Sequence, residues 1–429
     1  MAKRTNTEKA SREMTHRQLS HHKKAQRRQN FIFFGGIGII VVVVLIIAVG
    51  WLAGEYMPMH KTVVQVYDVK YDTSFYIDTL AIYGQSQGAD NLASMASAIA
   101  TQIIQNELIK QEAAKLGVSI TDEESIQYLE SIGFPINSAS IELARGALLT
   151  QKIKDNYFNP QVVKTDRQLW VKAMMCESES VAWLVREKMA NGENLTELVN
   201  QYAVDAASQG VFGDYGWHQL KMFKDKFYAT FPLDYISRSD VKDGDLSNPL
   251  ADNASYKKLG YWLIRVNERL DEESANVSAI LLGSEDEALA VRARLLAGES
   301  LAVIADNLSQ YSLSQQKHGE MGVLAVGDNI SNQFNGYVFG STPVIGEWSQ
   351  PVLEKQNYTR GGYWVVQVAG LEESREVPAE DRLTQINDLY NTWVTDINTA
   401  AKDYLINNLD ADIQKYAINK ATAILKAEQ

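Results

Sequence analysis

The longest apolar run of the chain covers residues 31–53 and contains no charged side chain. A helix of this length crosses a hydrocarbon core of about 30 Å. A secretory signal peptide has a shorter apolar stretch, which is followed by small residues at a cleavage site, and the residues after position 53 offer no such site. A buried core helix is the other explanation, but so long an uncharged run favours a transmembrane helix over 31–53.

Helical periodicity follows the predicted span in two stretches, residues 94–117 and 121–133. Thr121 opens the second stretch and is followed by three acidic residues. This order is typical of a helix N-cap and a negatively charged first turn. The pattern predicts helices over both stretches.

A further helical pattern with few helix-breaking residues covers 378–427. Neither this end of the chain nor the segment after the predicted span looks able to form a core alone. The sequence therefore predicts one helical domain built from residues 54–165 and from the C-terminal helices of 375–429, with the middle of the chain inserted between them.

The middle of the chain contains an internal repeat. Segments that begin at Val171 and Val277 align without a gap, and so do two later pairs of segments, GDLSNPL with GEWSQPV and GYWLIRV with GYWVVQV. The aligned positions are Ala173 and Ala279, Gly192 and Gly298, Gly213 and Gly319, Gly216 and Gly322, Gly244 and Gly346, and Gly260 and Gly362. The repeat predicts two homologous domains over 166–270 and 275–372.

Each repeat has the same predicted layout. An apolar strand comes first, two helices and a Gly-x-x-Gly turn follow, and a strand of alternating apolar residues closes the unit. We expect an α+β domain with a small sheet from each repeat. The whole chain is thus predicted to be α+β, with one N-terminal transmembrane helix, a helical domain formed by both flanks, and two inserted α+β domains.

Charge is distributed unevenly around the predicted span. Residues 1–30 hold nine Lys or Arg against two Glu, so the positive-inside rule places this basic tail in the cytoplasm and the rest of the chain outside. The remainder has 32 basic and 51 acidic residues, a net charge of −19. An acidic exterior argues against nucleic acid as a partner, and contact with lipid accounts for the basic tail. The sequence predicts a single-pass protein of the cell membrane whose bulk is extracytoplasmic.

The ordered motifs resemble those of the SurA, PrsA and PpiD extracytoplasmic foldases. The run IIQNELIKQEAAKLGVSITDEE from Ile103 to Glu124 is similar to their N-terminal chaperone domain. The two repeats are similar to parvulin-type peptidyl-prolyl isomerase domains in their opening strand, Gly-x-x-Gly turn, Gly-x-x-Ser-x-Pro segment and closing Gly-Tyr strand. The resemblance covers roughly residues 60–429.

The resemblance also implies which positions carry catalysis, and this chain departs from the family there. The two family histidines, on the opening and closing strands, correspond to alanine and tryptophan in both repeats, and a third, acidic or Cys, position is Asp in one repeat and Tyr in the other. These positions hold Ala173, Asp205 and Trp262 in the first repeat, and Ala279, Tyr311 and Trp364 in the second. No catalytic residue is therefore assigned.

The apolar positions of the implied proline pocket are better preserved. They hold Tyr215, Phe223 and Phe227 in the first repeat, and Met321, Ile330 and Phe334 in the second. These side chains either bind peptide or simply pack the core, and the two tryptophans either leave the pockets open or fill them. His218 and His318 lie beside the Gly-x-x-Gly turns and are expected to be ordinary surface residues. Nothing in the spacing of His, Cys, Asp and Glu predicts a metal site.

Three functions remain open. The leading hypothesis is a membrane-anchored chaperone or foldase that binds unfolded or proline-containing exported polypeptides, without a cofactor and without ATP. The second is an active peptidyl-prolyl isomerase, an enzyme, against which the missing histidines argue. The third is a structural or adaptor subunit of a cell-envelope complex. The oligomeric state and the clients do not follow from the sequence.

Overall fold

The computed structural model describes residues 39–427. These residues form two compact units, one from 39–160 together with 387–427 and the other from 161–386. Both helices and strands are present, which confirms the α+β class. The predicted basic tail, residues 1–30, and the first part of the predicted span lie outside the described residues.

Helix α1, Ile39–Met59, is the one described helix that is long and apolar enough to cross a membrane. The part of the predicted span from Ile39 onward lies in this helix, and its side chains are exposed as far as Leu52. Exposed apolar side chains on every face of a helix are unfavourable in water and favourable in lipid. Its length and composition are therefore those of a membrane span.

The helical unit contains residues 39–160 and 387–427. Its small sheet has the strand order β11–β1–β2, so the last strand of the chain pairs with the first, with Val64 opposite Asn407. Helix α16 packs against α2, and a buried core that includes Leu80, Leu108 and Leu149 lies among the helices. After α1, the elements of this unit are β1 Thr62–Val66, β2 Val69–Asp72, α2 Thr73–Gln87, α3 Leu92–Lys115, α4 Asp122–Ser131, α5 Ser138–Ile153, β11 Leu405–Asn407 and α16 Ala411–Ala427.

The start of α4 follows from the sequence. The backbone N–H of Glu124 donates to Thr121 Oγ1 at 3.2 Å, and the backbone N–H of Thr121 donates to Glu124 Oε2 at 2.7 Å. Two otherwise unpaired donors at the helix N-terminus are satisfied in this reciprocal way. The predicted N-cap is confirmed.

The second unit, residues 161–386, contains two four-stranded antiparallel sheets with the strand orders β4–β3–β10–β5 and β8–β7–β6–β9. Helix α15, Ala379–Ala401, begins in this unit and continues in the helical unit. The other elements are β3 Thr165–Cys176, α6 Glu179–Ala190, α7 Leu195–Tyr202, α8 Ala206–Gly210, β4 Asp214–His218, α9 Phe223–Phe227, α10 Thr230–Ile236, β5 Leu250–Lys257, β6 Gly260–Arg269, β7 Ser274–Leu282, α11 Glu285–Leu296, α12 Leu301–Leu308, α13 Ser312–Gln316, β8 Glu320–Ala325, α14 Asn332–Val338, β9 Val352–Glu354 and β10 Thr359–Glu376.

The two repeats exchange their closing strands. Strand β10, which ends the second repeat, pairs with β3 of the first repeat, with Val366 opposite Ala173. Strand β6, which ends the first repeat, pairs with β7 of the second, with Ile264 opposite Ala279. The first β-domain thus consists of 165–257 together with 359–376, and the second β-domain is the continuous segment 260–354. This pairing differs from the prediction, in which each closing strand stays in its own repeat.

The connection between β6 and β7 explains the exchange. Only residues 270–273 separate the two strands, and the N–H of Leu270 donates to the carbonyl of Ser274 at 3.1 Å across the turn. A connection this short joins neighbouring strands as an antiparallel hairpin. Strand β6 therefore pairs with the strand that follows it, and β3 is completed by β10 from the far end of the unit.

Candidate functional site

Each β-domain contains a buried tryptophan that is hydrogen-bonded to a buried carboxylate. Trp364 Nε1 donates to Asp252 Oδ2 at 2.9 Å in the first β-domain. Trp262 Nε1 donates to Glu354 Oε2 at 2.7 Å in the second. All four side chains are almost fully buried, and the two pairs occupy equivalent positions of the repeat. The indole N–H groups, which would be costly to bury alone, are thus satisfied.

Both carboxyls remain ionised although they are buried. Burial raises the pKa of Asp252, but hydrogen bonds from Ser255, from Trp364 and from the backbone of Ala254 outweigh it and bring the pKa below its ordinary value. Burial also raises the pKa of Glu354, but hydrogen bonds that include one from Ser331 outweigh this effect and bring the pKa below its ordinary value. Hydrogen bonds to the charged form of a carboxyl stabilise that form.

The strand exchange also exchanges the two tryptophans between the candidate sites. The sequence predicted that Trp262 shares a site with Ala173, and Trp364 with Ala279. Instead, Trp364 packs in the same core as Ala173, and Trp262 packs with Ala279. The reason is that each tryptophan lies on a closing strand, and each closing strand completes the sheet of the other repeat.

The predicted apolar residues of the first repeat lie together around Trp364. The Phe227 ring lies 6.2 Å from Trp364, 4.6 Å from Tyr215 and 5.3 Å from Phe223, measured between ring centroids. Phe223 is fully buried and therefore belongs to the core. Phe227 and Tyr215 are also largely buried, but each borders a cavity that opens to solvent.

In the second β-domain the equivalent residues gather around Trp262. Met321 and Phe334 are fully buried, and Ile330 packs against them from a partly buried position. The Phe334 and Tyr311 rings lie 4.8 Å and 5.1 Å from Trp262. This cluster is a packed aromatic core in which the indole occupies the centre.

Asp205 is buried and has a local structural role. Its carboxylate accepts hydrogen bonds from the backbone N–H of Met175 at 3.0 Å and of Ser208 at 2.7 Å, and it caps helix α8. Burial raises the pKa of Asp205, and these hydrogen bonds offset only part of the rise. The residue therefore ties α8 to strand β3 beside Trp364.

An open cleft of 460 Å³ lies in front of Trp364 in the first β-domain; we call it the Trp364 cleft. Phe227 and Trp364 line its apolar part, and Asp205 and Asp252 contribute polar atoms. Exposed aromatic residues also line it, of which Tyr228 is 83% exposed. Trp364 is itself almost fully buried, yet a cleft remains open in front of it. The other two exposed aromatic residues are Phe231 and Tyr256.

A second cavity of 540 Å³ adjoins the Trp364 cleft; we call it the Tyr215 cavity. The two share Ala206, Ala207 and Tyr228 as lining residues. Tyr228 has a positive φ of 51°, a left-handed conformation that is uncommon for a large side chain and that ends helix α9. The two cavities lie side by side at Tyr228, and we refer to them together as the aromatic groove.

His218 is buried, contrary to the expectation of an ordinary surface residue. Its Nδ1 lies 2.7 Å from Asp381 Oδ2 at the start of helix α15, and Glu380 lies beside it. The three side chains offer ligand atoms within 4.8 Å of one another, but the hydrogen bond to Asp381 already satisfies one imidazole nitrogen. His318, by contrast, is exposed and paired with Asp306 at 2.8 Å, as expected of a surface histidine.

The amino-acid sequence matches no protein-family model and no curated protein. Among solved structures, it is similar to PrsA from Bacillus subtilis at 17% identity and a TM-score of 0.18, over 38% of this chain and 66% of that one. The peptidylprolyl isomerase PrsA from Bacillus anthracis matches at 10% identity and a TM-score of 0.26, over 76% and 96%. A SurA-like chaperone from Campylobacter jejuni matches at 17% identity and a TM-score of 0.15, over 80% and 96%. These values assign the chain to no family.

The acidic partners of the two tryptophans and the exposed Tyr228 were not predicted from the sequence. The sequence does contain a signal for the acidic partners: Asp252 lies eight residues after Gly244, and Glu354 lies eight residues after the aligned Gly346. A repeated buried acid in a strand predicts a repeated donor opposite it. No sequence pattern predicts the exposure of Tyr228, because that exposure depends on how helix α9 ends.

Proposed function

We propose that this protein is a membrane-tethered chaperone that binds unfolded exported polypeptides outside the cytoplasm. The observation that carries the proposal is the Trp364 cleft, an open site with an aromatic floor and exposed aromatic residues. Such a site buries apolar side chains of an extended segment without requiring one sequence. Tyrosine and phenylalanine supply large contact areas with few rotatable bonds, which keeps the entropic cost of binding low.

The candidate site favours binding over isomerisation. At the two positions where the parvulin-type domains have histidines, the first β-domain has Ala173 and Trp364. The carboxylate of Asp205 is engaged by two backbone N–H groups. A proton-transfer or polarising role at an X-Pro bond would need a group free to face the peptide. We therefore propose that the clients are held rather than isomerised.

The proposed tether is helix α1, with the basic tail in the cytoplasm. The helical unit offers a further apolar surface, because Tyr128, Ile132 and Ile136 are exposed at the end of α4 and just after it. A chaperone fixed at the membrane and exposing apolar groups outside it meets exported chains as they emerge. The resemblance to SurA, PrsA and PpiD foldases supports this placement.

A binding experiment with the full chain in detergent micelles tests the proposal. The ligand is a fluorescent exported protein whose reduced and blocked cysteines prevent folding, and the control ligand is the same protein in its folded form. We expect the unfolded form to bind at least about tenfold more tightly, because only that form presents extended apolar segments. Equal affinity for both forms would refute the proposal.

The same assay tests the site. Tyr228→Ala is expected to weaken binding by about 1–2 kcal/mol, because an exposed aromatic contact is lost while the fold is untouched. The matched control is Tyr358→Ala, which removes a 59% exposed tyrosine that does not line the aromatic groove. An equal effect of the two substitutions would show that clients bind elsewhere.

A further inference from the structure

Acidic side chains line the aromatic groove throughout. The Trp364 cleft contributes Asp205 and Asp252, and the Tyr215 cavity contributes Asp225, Glu380 and Asp381. Lys226 is the one lysine or arginine among these lining residues, and it pairs with Glu380 at 3.3 Å. Five carboxyl groups and one cation therefore line this concave site. Its walls have a low dielectric constant, which strengthens the electric field of the carboxylates.

Most of these carboxyl groups have no cationic partner in the protein. Within residues 39–427, no Lys or Arg nitrogen lies within 4.0 Å of the carboxylates of Asp205, Asp225 or Asp252. Asp252 is engaged by hydrogen bonds from neutral groups, which preserve its charge. Asp225 is exposed on α9. Asp225 thus presents to a ligand an exposed negative charge that no Lys or Arg of residues 39–427 pairs with.

Two further cations lie close to residues of the Trp364 cleft, Lys257 to Asp252 and Arg360 to Tyr256. Lys257 is buried, donates to the backbone carbonyls of Arg360 and Gly361, and has a pKa that burial lowers to about 8. Arg360 lies over the Tyr256 ring, with its guanidinium carbon 4.6 Å from the ring centroid. This contact shows that an aromatic residue of the Trp364 cleft accepts a guanidinium group on its face.

We propose that the aromatic groove selects extended client segments that carry Lys or Arg next to apolar residues. The inference rests on the proposed function and names the class of segment that the site prefers. Apolar side chains of the segment fill the Trp364 cleft. Its cations meet the exposed carboxylate of Asp225 and the face of Tyr228, and the buried, charged Asp252 adds negative potential to the same site.

Three dye-labelled peptides test this preference with the full chain in detergent micelles. They share one unstructured apolar frame and differ only in carrying Lys, Gln or Glu at the same positions, and binding is followed by fluorescence anisotropy. We expect the Lys peptide to bind about tenfold more tightly than the Gln peptide and the Glu peptide to bind most weakly. The preference is expected to shrink as salt is raised, because exposed charge pairs are screened.

Neutralising one carboxylate of the groove provides a matched variant for this test. Asp225→Asn should weaken the Lys peptide about threefold and leave the Gln peptide unchanged, because only a charge is removed from an exposed position. Asp243→Asn is the control, since Asp243 is also exposed in the first β-domain but does not line the groove. Equal effects of the two substitutions on the Lys peptide would overturn the proposal.

The peptide series separates this inference from the proposed function. Binding of all three peptides with equal affinity would overturn the preference and leave the chaperone proposal standing. Absence of binding by all three, together with no binding of an unfolded protein, would overturn both. Self-association that excludes the Lys peptide would overturn the preference by showing that a second copy of the chain occupies the groove.

Discussion

A fragment of residues 258–358 is expected to fold alone, whereas a fragment of residues 166–270 is expected to stay unfolded. The first fragment contains all four strands of the sheet β8–β7–β6–β9 and the helices between them. The second fragment lacks β10, which lies between β3 and β5 in its sheet. Loss of a central strand leaves the backbone groups of both neighbours unpaired and removes one side of the core.

A third fragment provides the control for size and composition. Residues 165–257 joined to 359–376 through an Asn-Gly linker restore the first β-domain, because Lys257 and Thr359 are directly paired at the point of joining. We expect this fragment to fold. Circular dichroism and urea unfolding measure each fragment, and a cooperative transition of fragment 166–270 would contradict the strand exchange.

Trp364→Ala is expected to destabilise the first β-domain by about 3–5 kcal/mol, the cost of removing a large buried aromatic side chain. The substitution also leaves Asp252 without its indole donor. Trp364 belongs to the second repeat of the sequence but packs in the first β-domain. Which β-domain loses stability therefore tests the strand exchange, in addition to the size of the loss. Trp262→Ala is expected to have the same effect on the second β-domain.

Hydrogen exchange read by mass spectrometry locates the effect of each substitution. Trp364→Ala should lower protection in strands β3 and β5 and leave β7 and β8 protected. Trp183→Ala is the control, since this indole is 43% exposed and its loss is expected to cost less than about 0.5 kcal/mol. Loss of protection in the second β-domain on Trp364→Ala would mean that each repeat keeps its own closing strand.

The elements of the fold were predictable from the sequence because they depend on local patterns. The helices predicted at 94–117 and 121–133 are observed at Leu92–Lys115 and Asp122–Ser131. The turn glycines Gly216 and Gly322, aligned by the repeat, both have positive φ, which explains why this position is glycine in each repeat.

The pairing of elements was not predictable in the same way. Strands β10 and β3 come together over almost 200 residues of chain, and no periodicity within either strand specifies its partner. His218 and Asp381 are brought together over a similar separation, which is why the histidine was assigned to the surface. The short connection between β6 and β7 was the one local signal of the exchange, since it favours a hairpin over a return to the first repeat.

The candidate site was predictable in part. Phe227 and Tyr215 were identified and border the groove, but Phe223, Met321 and Phe334 pack the core. Alternation along a strand or helix marks a residue as apolar and inward-facing, yet it does not separate the wall of a cleft from the interior behind it. That distinction depends on which side of the packed layer stays open to solvent.

Site-specific photocrosslinking shows whether the aromatic groove holds unfolded polypeptide. A benzophenone amino acid replaces Tyr228 in the full chain, or Tyr358 as the control, and the labelled unfolded protein is added before irradiation. We expect strong crosslinking from position 228, which an excess of unlabelled unfolded protein removes, and little crosslinking from position 358. Equal crosslinking from both positions, or none from position 228 while the unfolded protein remains bound, would show that the groove is not where the polypeptide binds.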